Sequence, residues 1–204
     1  MKKLVRIVMM VVACSVMVPI ATHAVSLVET TRESSDITFT RQVTGVRGGE
    51  AVSTTPGGYP TQVRGDGGQF MNDGQWSMAF CIEPGQEAPL GGELRVQAIS
   101  PEEQAGGLQA AWLMDNFYNA ANSKVQLAAL QIAVWEVITD THGNYDLSAG
   151  DFKIWGGSQQ ALDIAYGYLV SVPTHFDVEY LNNKYLIATH PSEQDLIVQI
   201  CDCL

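Results

Sequence analysis

The chain has 204 residues, with 22 acidic residues against 11 basic ones and a formal net charge of −11 at pH 7. A balance this acidic argues against nucleic acid or an anionic membrane surface as partner. The length is enough for one domain with a sizeable core.

Met1 to Ala24 has the form of a secretory signal. Lys2, Lys3 and Arg6 precede an apolar run from Ile7 to Ile20, and the segment closes on the small residue Ala24. Cleavage is expected after Ala24. Val12-Ala13-Cys14 loosely matches a lipoprotein box, but apolar residues continue through Val16, Met17, Val18 and Ile20, which favours the later cut. The run is also short for a retained bilayer anchor. Without the leader, one expected domain remains at 25–204, with eight basic residues against 22 acidic ones, a net of −14. It carries no expected membrane span, and its expected location is secreted, cell-surface or periplasmic. Three cysteines remain in that domain: Cys81, Cys201 and Cys203. An odd count in an oxidising compartment leaves at least one thiol outside any intramolecular disulfide. Cys201-Asp202-Cys203 has no matching His or Cys pair, so no metal site is expected there.

Val25 to Thr44 reads as strands, with Asp36 to Val43 alternating at period two. Gly45 to Gly74, with Gly48-Gly49, Pro56-Gly57-Gly58 and Gly67-Gly68, reads as long surface loops or irregular hairpins. No Gly-Lys-Ser/Thr follows to make it a phosphate loop. Trp76 to Glu83 is a predicted strand ending at Pro84-Gly85, with Cys81 late in it between Phe80 and Ile82. Alone, such a cysteine reads as a small buried hydrophobe. Leu94 to Ile99 is a further strand. Pro101-Glu102-Glu103 then opens a helical region reaching about Ala121, with Leu108, Ala111, Trp112, Met114, Phe117 and Tyr118 as its apolar surface.

Ser123 with Gln126 three residues on is a capping box, and it predicts a helix running to about Asp140. At 3.6 residues per turn, Leu127, Leu130, Val134, Trp135, Val137 and Ile138 share one apolar arc, with Glu136 and Asp140 on the opposite side. Gln131 lies inside that arc. A buried primary amide left without partners costs about 2–7 kcal/mol, so something must satisfy it or consume it. One explanation is a core glutamine hydrogen-bonded to a strand; the other is a carboxamide that reacts with a nucleophile. Thr141 to Gly157 reads as a polar loop whose oxygen spacing matches no EF-hand. Ser158 caps a third helix, Gln159 to about Val170, and His175–Tyr180, Lys184–Thr189 and Asp195–Cys201 read as strands. The order predicts an α+β fold, an antiparallel β-sandwich or barrel-like body with about three helices inserted at about 101–171.

Phe80-Cys81-Ile82 resembles the aromatic-Cys-apolar element of bacterial surface thioester domains. Leu130-Gln131-Ile132-Ala133-Val134-Trp135 resembles their apolar-Gln-x-x-apolar-Trp element, and the two occur once each, 50 residues apart. The resemblance implies a β-rich body with a helical insertion, in which the Cys81 thiol and the Gln131 side chain lose ammonia and form an internal thioester. It further implies one-time covalent capture of an amine, such as a protein lysine, or of a hydroxyl on an extracellular partner, with no cofactor and no metal. In that reading Phe80, Ile82, Leu127 and Trp135 wall the acyl group, backbone N–H groups near Cys81 hold the oxyanion, and Glu83 or His142 is the acid for departing ammonia.

Two rivals stand beside it. A non-covalent matrix- or glycan-binding β-domain would use Gly-rich loops and aromatics such as Tyr59 and Trp155, leaving Cys81 and Gln131 as ordinary core residues. A cysteine hydrolase would need a histidine base, and His142, His175 and His190 lie in no recognisable catalytic context.

Overall fold

The computed structural model describes residues 23–28, 42–44, 51–52, 58–64, 77–84, 86, 93–119, 121, 123–141, 143–155 and 158–200. The leader up to residue 22, most of the strand expected at Asp36–Val43, His142, Cys201 and Cys203 lie outside them.

Among the described residues the chain is α+β, with nine strands and four helices. Six strands pair antiparallel around a closed barrel, in the order β1 (His23–Val28), β4 (Gly58–Arg64), β5 (Ser77–Cys81), β9 (Leu196–Gln199), β8 (Tyr185–Thr189), β6 (Glu93–Ile99) and back to β1. A separate small sheet has the order β3 (Ala51–Val52), β2 (Gln42–Thr44), β7 (Lys153–Trp155). Strand β1 begins at His23, which pairs with Ala98 as Ala24 pairs with Gln97.

Alternation along the strands sorts the core into two clusters. Ala79 and Cys81 of β5, Leu186 and Ala188 of β8, and Leu196 and Val198 of β9 pack together with Val63 and Val96. Phe80, Ile82, Tyr185, Ile187 and Ile197, the intervening residues, pack in the second cluster with the helices. On β6, Arg95 and Gln97 are exposed while Val96 is buried, so the first set lines the barrel interior.

Gly58–Arg64, within the region read from sequence as long surface loops or irregular hairpins, is a barrel strand with Thr61 and Val63 buried. Its flanking Gly and Pro residues obscure a short alternation that becomes a strand only through its pairing with β5 and β1. The polar loop expected at Thr141–Gly157 likewise contains strand β7, paired with β2.

Helices α1 (Gly107–Phe117), α2 (Lys124–Thr139) and α3 (Gln159–Leu169) fill the expected insertion, α1 following a 3-10 turn at Pro101–Glu103. Ser123 caps α2 as its sequence predicts, its hydroxyl accepting from the Gln126 N–H at 3.2 Å. Gly106, at φ 75°, starts α1 where a Cβ would lie 2.1 Å from the Val137 carbonyl oxygen, so α1 and α2 pack in backbone contact. A fourth helix, α4 (Val178–Lys184), replaces the expected strand His175–Tyr180. The apolar alternation there is outweighed by capping: Asp177 accepts from the Tyr180 N–H at 3.1 Å, with Glu179 in the first turn and Lys184 in the last.

Helix α2 is buried over its whole circumference from Ala128 to Val137. It packs on α1 and α3 and reaches β4 and β5 of the barrel. The arc drawn from sequence is therefore too narrow. Glu136, placed by periodicity on the side away from the core, is fully buried.

Candidate functional site

Cys81 ends β5 with its side chain inside the barrel, 1% exposed and in no disulfide. On one flank the chain continues into β9 pairing, the Ile82 N–H donating to the Asp195 carbonyl at 3.0 Å. On the other flank, the pairing with β4 ends at Gly58 opposite Phe80. One residue further, Gln131 of α2 takes over. The Cys81 N–H donates to Gln131 Oε1 at 2.9 Å, and Gln131 Nε2 donates to the Cys81 carbonyl at 2.7 Å. The carboxamide thus completes the ladder as the next strand residue would, and Gln131 is fully buried. The sequence-predicted pair is brought together, through the main chain of Cys81.

The thiol itself meets a second glutamine. The Cys81 thiol donates to Oε1 of Gln194 at 2.6 Å. Gln194 is 4% exposed. Its Nε2 donates to the Glu83 carbonyl, and the Glu83 carboxylate in turn accepts the Asp195 N–H at 3.3 Å. The turn entering β9 is thereby clasped to the segment leaving β5.

Nothing in the sequence singled out Gln194. Ser192-Glu193-Gln194-Asp195 reads as a polar turn before a strand, and only the β5–β9 register, with Cys81 opposite Leu196, brings it to the thiol. Glu83, named from sequence as one of two candidate acids, is part of this clasp.

Of the expected walls, Trp135 packs in the same cluster as Cys81, tilted against Phe152 at 6.1 Å between ring centroids. Phe80 and Ile82 pack in the other cluster because strand parity sends them to the opposite face of β5, and Leu127 packs with them. His175 bonds Thr174 on an exposed segment at 2.9 Å, and His190 Nδ1 accepts the Glu193 N–H at 3.0 Å. Tyr59 and Trp155 lie on β4 and β7, and their side chains are outside the described residues.

A second buried polar group lies on α2 one residue after Trp135. Glu136 Oε1 accepts the Asp146 N–H at 2.8 Å, while its Oε2 and the Trp135 indole nitrogen have no hydrogen-bond partner among the described residues. Burial, reinforced by the negative charges of Asp140 and Asp146, pushes the Glu136 carboxyl up to about 8 against the partial relief of the Asp146 N–H. Asp140 holds the same loop, accepting the Asp151 N–H at 2.8 Å and the Phe152 N–H at 3.2 Å.

No protein-family model and no curated protein sequence matches the chain. Among solved structures it is similar to the N-terminal domain of the Streptococcus pyogenes pilus tip adhesin Cpa. The two are 14% identical with a TM-score of 0.42, over 85% of this chain and 98% of that one. It is also similar to the N-terminal thioester domain of fibronectin-binding protein SfbI from Streptococcus pyogenes, at 12% identity and a TM-score of 0.43. That match covers 86% of this chain and 100% of the other. Among the described residues, no helix is long and apolar enough to cross a membrane.

Proposed function

We propose that this chain is an exported, adhesin-type thioester domain that captures an amine or hydroxyl group of an extracellular partner by acyl transfer from a glutamine esterified to Cys81. The acyl donor in this reading is Gln131, the glutamine that the motif marks. The observation that carries it is the pair of hydrogen bonds, at 2.9 and 2.7 Å, that hold the Gln131 carboxamide against Cys81, with both residues almost wholly buried.

Formation balances without a cofactor. Sulfur bonds to Gln131 Cδ, the Cδ–Nε2 bond breaks, and the nitrogen leaves as ammonia carrying the thiol proton. The Cys81 N–H, already donating to Gln131 Oε1 at 2.9 Å, is a donor for the oxyanion that forms there. Burial protects the acyl group from bulk water until a partner's nucleophile displaces Cys81. One partner is joined per molecule, so the chemistry is covalent binding and not turnover. The signal-like N-terminus would deliver the domain to the cell surface or periplasm, where a protein lysine is a natural nucleophile.

Gln194 in the acyl role is the second reading, supported by the buried thiol donating to its Oε1 at 2.6 Å. Intact-mass spectrometry tests the shared claim. The purified protein should be lighter than its calculated mass by one ammonia, should add methylamine covalently, and should do neither as Cys81→Ala. A full calculated mass with no methylamine uptake would overturn both readings.

A further inference from the structure

We infer that a groove at the barrel end where the Cys81 strand stops is a recognition subsite for a carboxylate side chain of the partner polypeptide, held by Arg95. Its use in capture rests on the thioester reading proposed above; the binding itself does not. The groove follows from how two strands end. β6 pairs with β8 only as far as Gln97 opposite Thr189, so Arg95 lies beyond the last pair. The chain leaves β8 through His190-Pro191, and a proline has no N–H with which to extend the ladder. β8 therefore parts from β6 and leaves a groove of about 510 Å³ lined by Arg95, Gln97, Thr189, His190, Pro191 and Asp195. The reactive cysteine lies at the same barrel end. Leu196 pairs with Cys81, and the Ile82 N–H donates to the Asp195 carbonyl at 3.0 Å. One wall of the groove is thus a single strand spacing, ~4.8 Å, from the chain that carries the thiol.

The lining selects an anion. Arg95 is exposed and has no hydrogen-bond or ion-pair partner among the described residues, in a chain of net charge −11. His190 Nδ1 accepts the Ser192 and Glu193 N–H groups at 3.3 and 3.0 Å, so the neutral ring keeps its proton on Nε2 as a further donor. Asp195 stands on the same wall, but its Oδ1 is spent on the His190 N–H at 2.7 Å. Those bonds close the 190–195 turn on itself and fix the wall before any ligand arrives. Arg95 remains the unmatched charge, and a guanidinium takes a carboxylate through two parallel N–H···O bonds. The volume admits several side chains of an extended segment, so the carboxylate is one carried by a polypeptide. A segment held there runs along the turn that bears Gln194, whose Oε1 accepts from the thiol. Tethering an acidic residue at Arg95 raises the effective concentration of a nearby lysine at the acyl group.

Two synthetic peptides test this, each with one lysine, flanked in one by glutamates and in the other by glutamines. Capture is followed by intact mass on the protein and on Arg95→Gln, with methylamine as a small nucleophile that needs no subsite. The glutamate peptide should be captured about tenfold faster than the glutamine peptide by the unaltered protein and within about twofold by Arg95→Gln, with equal methylamine rates for both proteins. Equal peptide rates on the unaltered protein, or a preference that survives Arg95→Gln, would overturn the subsite and leave the thioester intact. No methylamine uptake by the unaltered protein would sink the thioester instead, and equilibrium binding then decides the subsite without it. By isothermal titration, Cys81→Ala should bind the glutamate peptide with a Kd about tenfold below that of the glutamine peptide, a difference lost when Arg95→Gln is added or salt is raised to about 1 M. Equal Kd values for the two peptides would contradict the proposal.

Discussion

Two glutamines from different regions converge on one cysteine, and they hold it in different ways. Gln131, fixed on a helix buried on every side, bonds the Cys81 N–H and carbonyl. Gln194, on the turn entering β9, presents its carbonyl to the thiol and its nitrogen to Glu83. In the proposed reading Gln131 is the amide consumed, its Oε1 already facing the N–H that an oxyanion would need, while Gln194 accepts from the thiol and ties the turn to Glu83.

Exchanging the two residues for alanine should break the comparison most sharply. Gln131→Ala is expected to abolish the ammonia deficit completely, and to cost about 2–4 kcal/mol because it strands a buried N–H and C=O of Cys81. Gln194→Ala is expected to keep the deficit. Urea denaturation followed by far-UV circular dichroism checks the expected cost of Gln131→Ala, and a loss below about 1 kcal/mol would show that water or a neighbour replaces the amide.

The opposite end of α2 offers a smaller, pH-dependent effect. Glu136 has its carboxyl raised to about 8, so the folded state binds a proton that the unfolded chain releases near its ordinary value of 4.5. Stability on this account falls as pH rises through that window and levels off above it. Glu136→Gln should therefore be neutral near pH 4 and stabilising by about 1–3 kcal/mol near pH 9. Denaturation at the two pH values measures the difference, and a stabilisation independent of pH would assign it to packing instead. Smallest is Ser123→Ala, which removes the α2 cap and should cost about 1 kcal/mol without altering the mass deficit, since Gln131 sits two turns further in. A lost deficit would mean that the helix end and the reactive site are one unit.

Local signals in the chain were read well where a single residue carries them. The Ser123 and Ser158 caps placed two helices to within a residue or two at their starts, and the strand bearing Cys81 follows from its own apolar run. Legibility failed where tertiary contacts decide. Strand β4 hides among glycines until β5 pairs with it, and Glu136 looks solvated on a helical wheel because one helix cannot reveal that α1 and α3 cover both its flanks. At the site, Cys81 and Gln131 stand out because a motif marks them. Gln194 has no local mark, and its place opposite the thiol follows only from the β5–β9 register, 113 residues apart in sequence.

The most direct measurement is peptide mapping after methylamine capture, since the label stays on whichever glutamine donated the acyl group. N-methylation at Gln131, with Gln194 unmodified, is the predicted result. A label on Gln194, or uptake that persists undiminished in Gln131→Ala, would contradict the proposed donor.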